Sequence, residues 1–420
     1  MTEESRSGEV IVVGGGIIGI ACAHYLTKAG YQVTVIERNS VAGACSHANC
    51  GFIAPSHVLP LTEPAAVKIA LKSLFNPRAP FRVKPQWNFA FWKWMLQFGR
   101  RCTHQQMLAA GPALKAILDL SMHEYRQLLS EENFACEWQD HGLLYVFQSQ
   151  KGLAGYRETD QLMTEHFGVS AREIPGEELP TFDPALKPGL AGAFHYTCDA
   201  SLKPDLLAAA WSERLKERGI IFREECELTG VTQTGGKITQ LQTSQGEMQA
   251  DAIVFATGAW SPLLAKQLGC EIPILPGKGY SVTMAAPDPS PRHPMLFPEH
   301  KVGVCPFENR FRLGSMMEFT GYDSSIPDYR IEQLRESARP YLVSPYTETE
   351  YERWYGWRPM TWDSLPMIGP VPRLQNAWLA AGHNMLGMSM GAATGKLIAQ
   401  MVSAESPAID PVPYAPTRFG

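Results

Sequence analysis

Three glycines near the N-terminus have the spacing of a phosphate-binding turn. Gly14, Gly16 and Gly19 form a G-x-G-x-x-G pattern, with Ile17 and Ile18 inside it. Gly14 permits a tight turn, Gly16 lets the backbone approach a pyrophosphate, and Gly19 lets a helix pack closely on a strand. The helix that follows offers backbone N–H groups to an anion. The pattern therefore predicts a dinucleotide site.

The segments around this turn have the order of a βαβ unit. Residues 10–13 are a β-branched run that predicts a buried parallel strand, residues 20–29 predict a helix, and residues 31–36 predict a second strand. Glu37 follows the second strand, where a carboxylate accepts hydrogen bonds from ribose hydroxyls and repels a 2′-phosphate. NADP is therefore disfavoured, but this unit does not separate NAD from FAD.

Three later segments bear on the choice of cofactor. Residues 45–53 are rich in small polar residues at a point where an NAD domain would continue into another helix. Residues 252–258 predict a buried strand that ends in a glycine turn. Near the C-terminus, a Gly-Trp-Arg-Pro stretch at 356–359 is followed by residues 380–387, which open a helix that continues through Ala399.

With these segments, the chain resembles the D-amino acid oxidase superfamily of FAD-dependent oxidoreductases over nearly its whole length. Within it, the chain is most similar to bacterial D-amino acid dehydrogenases and D-hydroxyproline dehydrogenases. The resemblance implies that FAD is the cofactor and that seventeen residues lie along it. These are Gly14, Gly16, Ile17, Ile18 and Gly19 at the pyrophosphate, Glu37 and Arg38 at the adenosine ribose, Ser46, Asn49 and Gly51 beside the phosphate, ribityl chain and flavin ring, Thr257 and Gly258 near the cofactor, and Gly382, Met385, Leu386, Gly387 and Met388 along the isoalloxazine.

Some of these residues also have a simpler interpretation. Thr257 and Gly258 fit an ordinary turn, and Gly387 fits an ordinary helix start. His47 and Cys50 are as consistent with packing as with chemistry. Sarcosine oxidase relatives attach their flavin through a cysteine just before a Thr-x-Asp sequence, but residues 355–363 contain no cysteine. The resemblance therefore implies FAD bound without a covalent link.

Arg358 is the candidate for binding a substrate carboxylate. The resemblance implies an arginine at this position, and a planar guanidinium pairs with both carboxylate oxygens. The alternative is that Arg358 only braces the sheet. Tyr280 resembles a family residue that lines the substrate cavity, with core packing as its alternative. Arg312 alternates with apolar residues, which predicts a structural residue on the outer face of a strand.

The implied reaction removes a hydride from the Cα of a D-amino or D-imino acid, transfers it to flavin N5, and passes the electrons to a quinone or another acceptor. No side chain is required as a base. Residues 49–60 resemble the hydroxyproline branch of the superfamily, which implies cis-4-hydroxy-D-proline as a possible substrate. The alternatives are an oxygen-using amine oxidase of the glycine or sarcosine type, an FAD-carrying electron-transfer subunit of a larger complex, and an NAD-dependent dehydrogenase. Residues 382–395 argue against the last of these.

An aromatic stretch at 87–98, followed by Arg100 and Arg101, has two interpretations. One is an amphipathic helix at a membrane surface that delivers electrons to a quinone. The other is a core helix of the substrate domain, which we favour because aromatic stripes are more often core.

Composition limits the functional classes. The chain has 420 residues and a net charge of −5, which argues against general affinity for nucleic acid. Its nine cysteines are scattered, odd in number and without a C-x-x-C pair, so we expect reduced thiols and no metal site. Residues 1–9 are polar and do not lead into a signal sequence, which predicts a cytoplasmic protein.

The expected fold is α/β. Because the cofactor segments are spread along the chain, we expect two interleaved domains. We predict a Rossmann-like FAD-binding domain from residues 1–85, 196–272 and 355–420. Residues 86–195 and 273–354 are predicted to form an α+β substrate domain with a mixed sheet.

Overall fold

The computed structural model describes residues 8–64, 67, 73 and 79–419. Parts of the predicted segment 1–85, including residues 1–7, lie outside the described residues. Within the described part, two large sheets and the helices packed on them make up most of the molecule.

The first sheet contains the predicted βαβ unit. It has six strands in the order β19-β20-β13-β1-β2-β9, and all neighbours are parallel except β19 and β20. The strands are β1 (Glu9–Val13), β2 (Gln32–Ile36), β9 (Ile221–Arg223), β13 (Ala252–Phe255), β19 (Met367–Pro370) and β20 (Ala377–Ala381). Strands β1 and β13 are almost wholly buried, as expected for a parallel sheet covered on both faces.

Helix α1 (Ile17–Lys28) begins three residues earlier than predicted. The residue before it, Gly16, has extended backbone angles and acts as the N-cap. The helix therefore uses Ile17, Ile18 and Gly19 as its first turn. This places their N–H groups at the helix end that attracts anions.

The second sheet has nine strands. Eight run in the order β18-β14-β17-β16-β15-β5-β7-β6, and β4 pairs with β17. These strands are β4 (Phe81–Val83), β5 (Leu143–Phe147), β6 (Arg172–Pro175), β7 (Gly192–Tyr196), β14 (Ile274–Ala285), β15 (Met295–Phe297), β16 (Val302–Pro306), β17 (Arg310–Phe319) and β18 (Glu350–Thr361).

Smaller elements complete the described structure. A three-stranded sheet consists of β10 (Leu228–Thr234), β11 (Lys237–Thr243) and β12 (Gly246–Met248), and a pair consists of β3 (Phe52–Ile53) and β8 (Ala200–Ser201). The remaining helices are α2 (Phe89–Arg101), α3 (His104–Glu132), α4 (Gln150–Phe167), α5 (Leu179–Phe182), α6 (Pro204–Glu217), α7 (Ala265–Leu268), α8 (Asp328–Ala338) and α9 (Gly387–Val402), with 3-10 turns at Gly258–Leu264, Val412–Tyr414 and Pro416–Phe419.

The α/β class is confirmed, but three elements do not follow the predicted domain boundaries. Strand β4 was placed in the FAD-binding segment, yet it pairs with β17 in the nine-stranded sheet. Strand β18 crosses the boundary at residue 355 and lies wholly in that sheet. Helix α3 was assigned to the substrate domain, yet its residues Leu114 and Tyr125 pack in one core with α1 and α9. Sheet pairing and core packing decide which domain an element belongs to, and neither is visible in the local sequence.

A buried ionic cluster attaches α8 to the nine-stranded sheet. The carboxylate of Glu318 on β17 accepts hydrogen bonds from Tyr280 on β14 and from Arg330 on α8. The Arg330 side chain is fully buried, and Glu318 is 3% exposed. Removing one partner of such a pair leaves a charge in a medium of low dielectric constant.

We predict that Glu318→Ala lowers the free energy of unfolding by about 3–5 kcal/mol, because the Arg330 guanidinium loses its buried counter-charge. Urea unfolding would measure this change. The matched control is Glu336→Ala, which removes an exposed pair with Arg339 and is expected to cost less than about 1 kcal/mol. Equal losses in the two variants would contradict the prediction.

Candidate active site

Close backbone contacts fix the shape of the glycine turn. Gly14 has φ +113°, and a Cβ there would lie 2.5 Å from the carbonyl oxygen of Ala256, at the end of β13. A Cβ on Gly19 would overlap the carbonyl oxygen of Gly14. Only glycine therefore allows β1, β13 and the start of α1 to approach this closely. The turn is a cradle at the N-terminus of α1, the end of a helix that attracts anions.

Two side chains of the predicted cofactor set are fixed beside this cradle. Glu37 accepts hydrogen bonds from the N–H groups of Gly15 (2.8 Å) and Asn39 (3.1 Å). The carboxylate is thereby held at the end of β2. The Oγ of Ser46 accepts a hydrogen bond from the N–H of Ile17 at 2.9 Å, which joins the segment 45–53 to the start of α1.

Arg38, Thr257 and Gly258 lie at the same edge of the first sheet. Strands β1 and β13 are neighbours, so the turns that follow them are adjacent. The Arg38 guanidinium lies over the ring of Trp260, 4.1 Å from its centroid. The Thr257 hydroxyl is hydrogen-bonded to that of Ser261 at 2.8 Å, which is also consistent with ordinary turn chemistry. Thus the structure brings all three residues to the mouth of the cradle without deciding their roles.

The segment 45–53 runs from the first sheet to the second. The side-chain amide of Asn49 donates to the carbonyl of Cys45 at 3.0 Å and accepts from the N–H of Gly51 at 2.8 Å. A Cβ on Gly51 would overlap the carbonyl oxygen of Leu202, so the close approach of the two backbones is enough to require glycine here. The carbonyl of Ala48 accepts a hydrogen bond from Ser281 on β14 at 2.7 Å. One face of the second sheet therefore lies against this segment.

The loop before α9 joins the two sheets. Asn384, with φ +52°, donates its N–H to the carbonyl of Pro359 at 3.1 Å and accepts from the N–H of Thr361 at 2.9 Å. Its side-chain amide also donates to the carbonyl of Gly382 at 3.0 Å. Leu386 is the N-cap residue of α9. The predicted residues Gly382, Met385, Leu386, Gly387 and Met388 therefore lie next to the strand that carries Arg358.

Asn384 itself was not among the predicted site residues. Its type and position are a readable signal, since asparagine tolerates the left-handed conformation that a loop before a helix often needs. The sequence does not show the partners of this side chain, because they belong to another strand.

Arg358 is half-buried and has a single described hydrogen bond, from Nη1 to the carbonyl of Met316 at 2.5 Å. Burial lowers the pKa of the guanidinium, although the neighbouring thiols of Cys50 and Cys45 oppose this shift. Within the described residues, it forms no ion pair with an acidic side chain. Most of its donors are therefore available to an anion from outside the chain.

The backbone of two strands makes room for this side chain. Met316 has φ +70° and lies in an irregular stretch where the register of β17 against β14 shifts, which turns its carbonyl away from the regular ladder. A Cβ on Gly279 would overlap the Arg358 guanidinium. The strained residue and the glycine together fix where the charge lies.

Tyr280 is not positioned to line the same space. Ser281 faces Ala48 and Gly279 faces Arg358, so Tyr280 between them points to the opposite side of β14. It is 2% exposed, packs in the core of the second sheet and donates to Glu318. The structure thus agrees with the alternative interpretation, core packing.

The prediction that Arg312 lies on an outer face was wrong. The segment 45–53 covers this face, so Arg312 is 2% exposed. Its Nε donates to Thr283 at 2.9 Å, and its Nη1 donates to the carbonyl of Asn49 at 2.8 Å. These contacts stabilise the segment that carries the predicted flavin-side residues.

The two less certain residues of this segment have defined partners. His47 is hydrogen-bonded to Glu352 at 2.7 Å, which raises the pKa of His47 and lowers that of Glu352. The thiol of Cys50 is hydrogen-bonded to that of Cys305, and this bond lowers the pKa of Cys50. Both residues are thus held by packing contacts.

The arrangement fits FAD. The cradle offers N–H groups for a pyrophosphate, and Glu37 offers a carboxylate for ribose hydroxyls. From there, the segment 45–53 and the loop before α9 both lead towards Arg358. A ligand that extends along them from a dinucleotide end to a reactive ring would end beside the half-buried guanidinium of Arg358, which has no described acidic partner.

Comparisons with known proteins agree with this fit. The family model described as FAD-dependent oxidoreductase matches residues 9–401. A D-amino acid dehydrogenase of Granulibacter bethesdensis is 30% identical over 416 residues, which cover 98% of this chain and 99% of the relative. A D-amino acid dehydrogenase of Neisseria meningitidis is 31% identical over 403 residues, which cover 94% and 96%, respectively.

Solved structures share the fold at lower identity. Glycine oxidase from Geobacillus kaustophilus superimposes with a TM-score of 0.77 at 22% identity, covering 98% of this chain and 99% of that one. L-proline dehydrogenase from P. horikoshii gives a TM-score of 0.74 at 19% identity, with 98% of each chain covered.

We predict that Gly19→Ala yields protein with less than about a tenth of the bound FAD of the wild type, because the new Cβ forces α1 away from the turn. The measurement is the ratio of flavin to protein absorbance after purification. Gly155→Ala is the matched control, since a Cβ on this helical glycine meets nothing within 4 Å. Full FAD content in Gly19→Ala would show that the close approach is not required.

Proposed function

The chain belongs to the family of FAD-dependent oxidoreductases, and from this premise we propose that it is a dehydrogenase of D-amino or D-imino acids. We further propose a quinone as the electron acceptor and non-covalent binding of FAD. The D-amino acid dehydrogenases that resemble the chain over nearly its whole length support this substrate class.

The single observation that carries the proposal is the environment of Arg358. The half-buried guanidinium of Arg358 has no described acidic partner, and an entering carboxylate would both neutralise it and accept two parallel hydrogen bonds. Every amino acid or imino acid has such a carboxylate next to its Cα. Binding it at Arg358 fixes the position of the Cα–H bond.

Arg358 acts here by binding and orientation. Bound FAD supplies the two-electron oxidation by accepting the hydride that leaves the substrate Cα. The imine that results is hydrolysed by water to a keto acid, or stays cyclic if the substrate is a proline analogue. Because positioning supplies much of the rate, no side chain needs to act as a base. The sequence pattern at 49–60 supports cis-4-hydroxy-D-proline as one member of the substrate panel.

We predict that Arg358→Ala lowers the second-order rate constant for flavin reduction by a D-amino acid about 30- to 100-fold, because a charge-assisted hydrogen bond contributes about 2–3 kcal/mol. The measurement is anaerobic bleaching of the flavin absorbance by D-amino acids, cis-4-hydroxy-D-proline, sarcosine and glycine. Arg358→Lys should lose less, since it keeps the charge but not the planar fork.

The control is Arg353→Ala on the same strand, whose exposed side chain pairs with Glu350 and Asp328. A D-amino acid should reduce the flavin of Arg353→Ala as fast as that of the wild type. Bleaching by sarcosine or glycine alone would favour an amine oxidase of that type. A yellow protein that no amine bleaches would overturn the proposal and favour an electron-transfer subunit.

We also propose that helix α2 contacts a membrane surface. One side of the helix is core, since Phe91 and Trp94 are buried with residues of the second sheet. The other side of the helix exposes large apolar side chains to solvent, as does the residue two positions before its start; these are Phe89, Trp92 and Leu96 on the helix and Trp87 before it. Within the described residues, no helix is long and apolar enough to cross a bilayer. An exposed aromatic face flanked by basic residues supports binding in the interface instead.

The double variant Phe89→Ser, Trp92→Ser should bind vesicles of phosphatidylglycerol at least about 10-fold more weakly than the wild type. Each of these exposed aromatic side chains would contribute up to about 1.5–3 kcal/mol on entering the bilayer interface. Co-sedimentation at low salt is the measurement. The control Leu263→Ser, Val412→Ser removes two exposed apolar residues elsewhere. If both variants bind equally, α2 is not the contact.

A further inference from the structure

A pair of glycines forms a flat floor beside Arg358. Gly279 on β14 and Gly356 on β18 are directly opposite each other in the antiparallel register. Side chains at such a pair would lie only about 4.5–5.5 Å apart on one face of the sheet. Since neither residue has a side chain, neighbouring side chains can lie directly over the backbone of both strands at this point.

Two larger side chains lean over this floor. A Cβ on Gly279 would overlap the Arg358 guanidinium, and a Cβ on Gly356 would overlap the Cζ2 and Cη2 edge of the Trp354 indole. Arg358 and Trp354 are two residues after and two residues before Gly356, so they belong to the same face of β18. The Sγ of Cys45 would lie 3.3 Å from the same Cβ position on Gly356. The indole edge is therefore a close neighbour of the carboxylate-binding group.

We infer that Trp354 is a specificity-determining residue that contacts the substrate side chain; this inference rests on the proposed function. In an amino acid, the side chain begins one bond beyond the carbon that bears the carboxylate. With that carboxylate on Arg358 and the floor closed by backbone, the side chain meets the next large group on this face, the indole of Trp354. Half-buried Trp354 offers a flat apolar surface there.

The chemistry of this surface favours one class of substrate. An indole face packs well against C–H groups of an aliphatic chain, an aromatic ring or a pyrrolidine ring. It offers no charge to compensate an ionised side chain. The site should therefore prefer D-amino or D-imino acids with apolar or cyclic side chains to those with acidic ones, and it should gain little from Trp354 when the substrate has only a methyl group.

The test compares two substrates that share the carboxylate and amine. The second-order rate constant of anaerobic flavin reduction is measured with D-phenylalanine or D-proline and with D-alanine. Trp354→Ala is expected to reduce the preference for the larger substrate about 10- to 100-fold, the range for losing apolar contact in a pocket. Trp354→Phe should keep most of that preference, because it retains an aromatic ring.

Tyr351→Leu is the matched control, because Tyr351 is an exposed aromatic residue on the same strand. This variant should prefer the larger substrate over D-alanine as strongly as the wild type does. An equal loss of rate with all substrates in Trp354→Ala, at unchanged preference, would overturn the inference and make Trp354 a bracing residue. If Trp354→Ala does not fold, Trp354→Leu replaces it, and an unchanged substrate preference in Trp354→Leu would overturn the inference. If none of the substrates reduces the flavin of the wild type, the proposed function is overturned instead.

Discussion

The joint between the two sheets is the constraint on which the site depends. The proposed dinucleotide cradle lies on the six-stranded sheet, whereas the proposed substrate anchor belongs to the nine-stranded one. Asn384 connects them through hydrogen bonds to the backbone of Pro359 and Thr361. Both residues follow Arg358 on β18. Because backbone contacts leave little freedom for sliding, the start of α9 and the Arg358 side chain keep a fixed relation. Precise positioning of this kind is what hydride transfer requires from the protein.

The electrostatic design follows from this joint. The half-buried guanidinium of Arg358 has no described acidic partner, so rigid surroundings have to hold it in place. The strained Met316 and the bare backbone of Gly279 supply those surroundings. If Arg358 had a permanent carboxylate partner, a substrate would have to displace it. The absence of a described acidic partner at Arg358 is therefore consistent with a site for an anionic ligand.

Close helix packing supports the cofactor side in a similar way. Helices α1 and α9 approach each other at Gly395, where a Cβ would lie 2.5 Å from the backbone of Ala21. Tyr125 on α3 donates to the carbonyl of Met388 at 2.7 Å, which fixes the first turn of α9 from the other side. The glycine cradle and the start of α9 thus belong to one packed core, although they are far apart in sequence.

The sequence by itself determined the cofactor end. The glycine turn, the strands on either side and Glu37 are contiguous, and each has a local physical reason, so their pattern predicts them directly. The sequence also identifies Arg358 as a candidate, but only through its resemblance to the family and not through a local pattern. The family and the α/β class are confirmed, whereas the individual roles of the site residues remain predictions.

Only the tertiary structure decided which side of each strand faces the site. Strand β14 is buried on both faces, so its sequence shows no alternation that separates Tyr280 from Ser281. Arg312 has the pattern of an outer face, but a segment about 260 residues earlier covers it. The membership of β4, β18 and α3 likewise depends on partners distant in the chain. Local patterns record the period of a strand, but the identity of what packs on each face is set by long-range contacts.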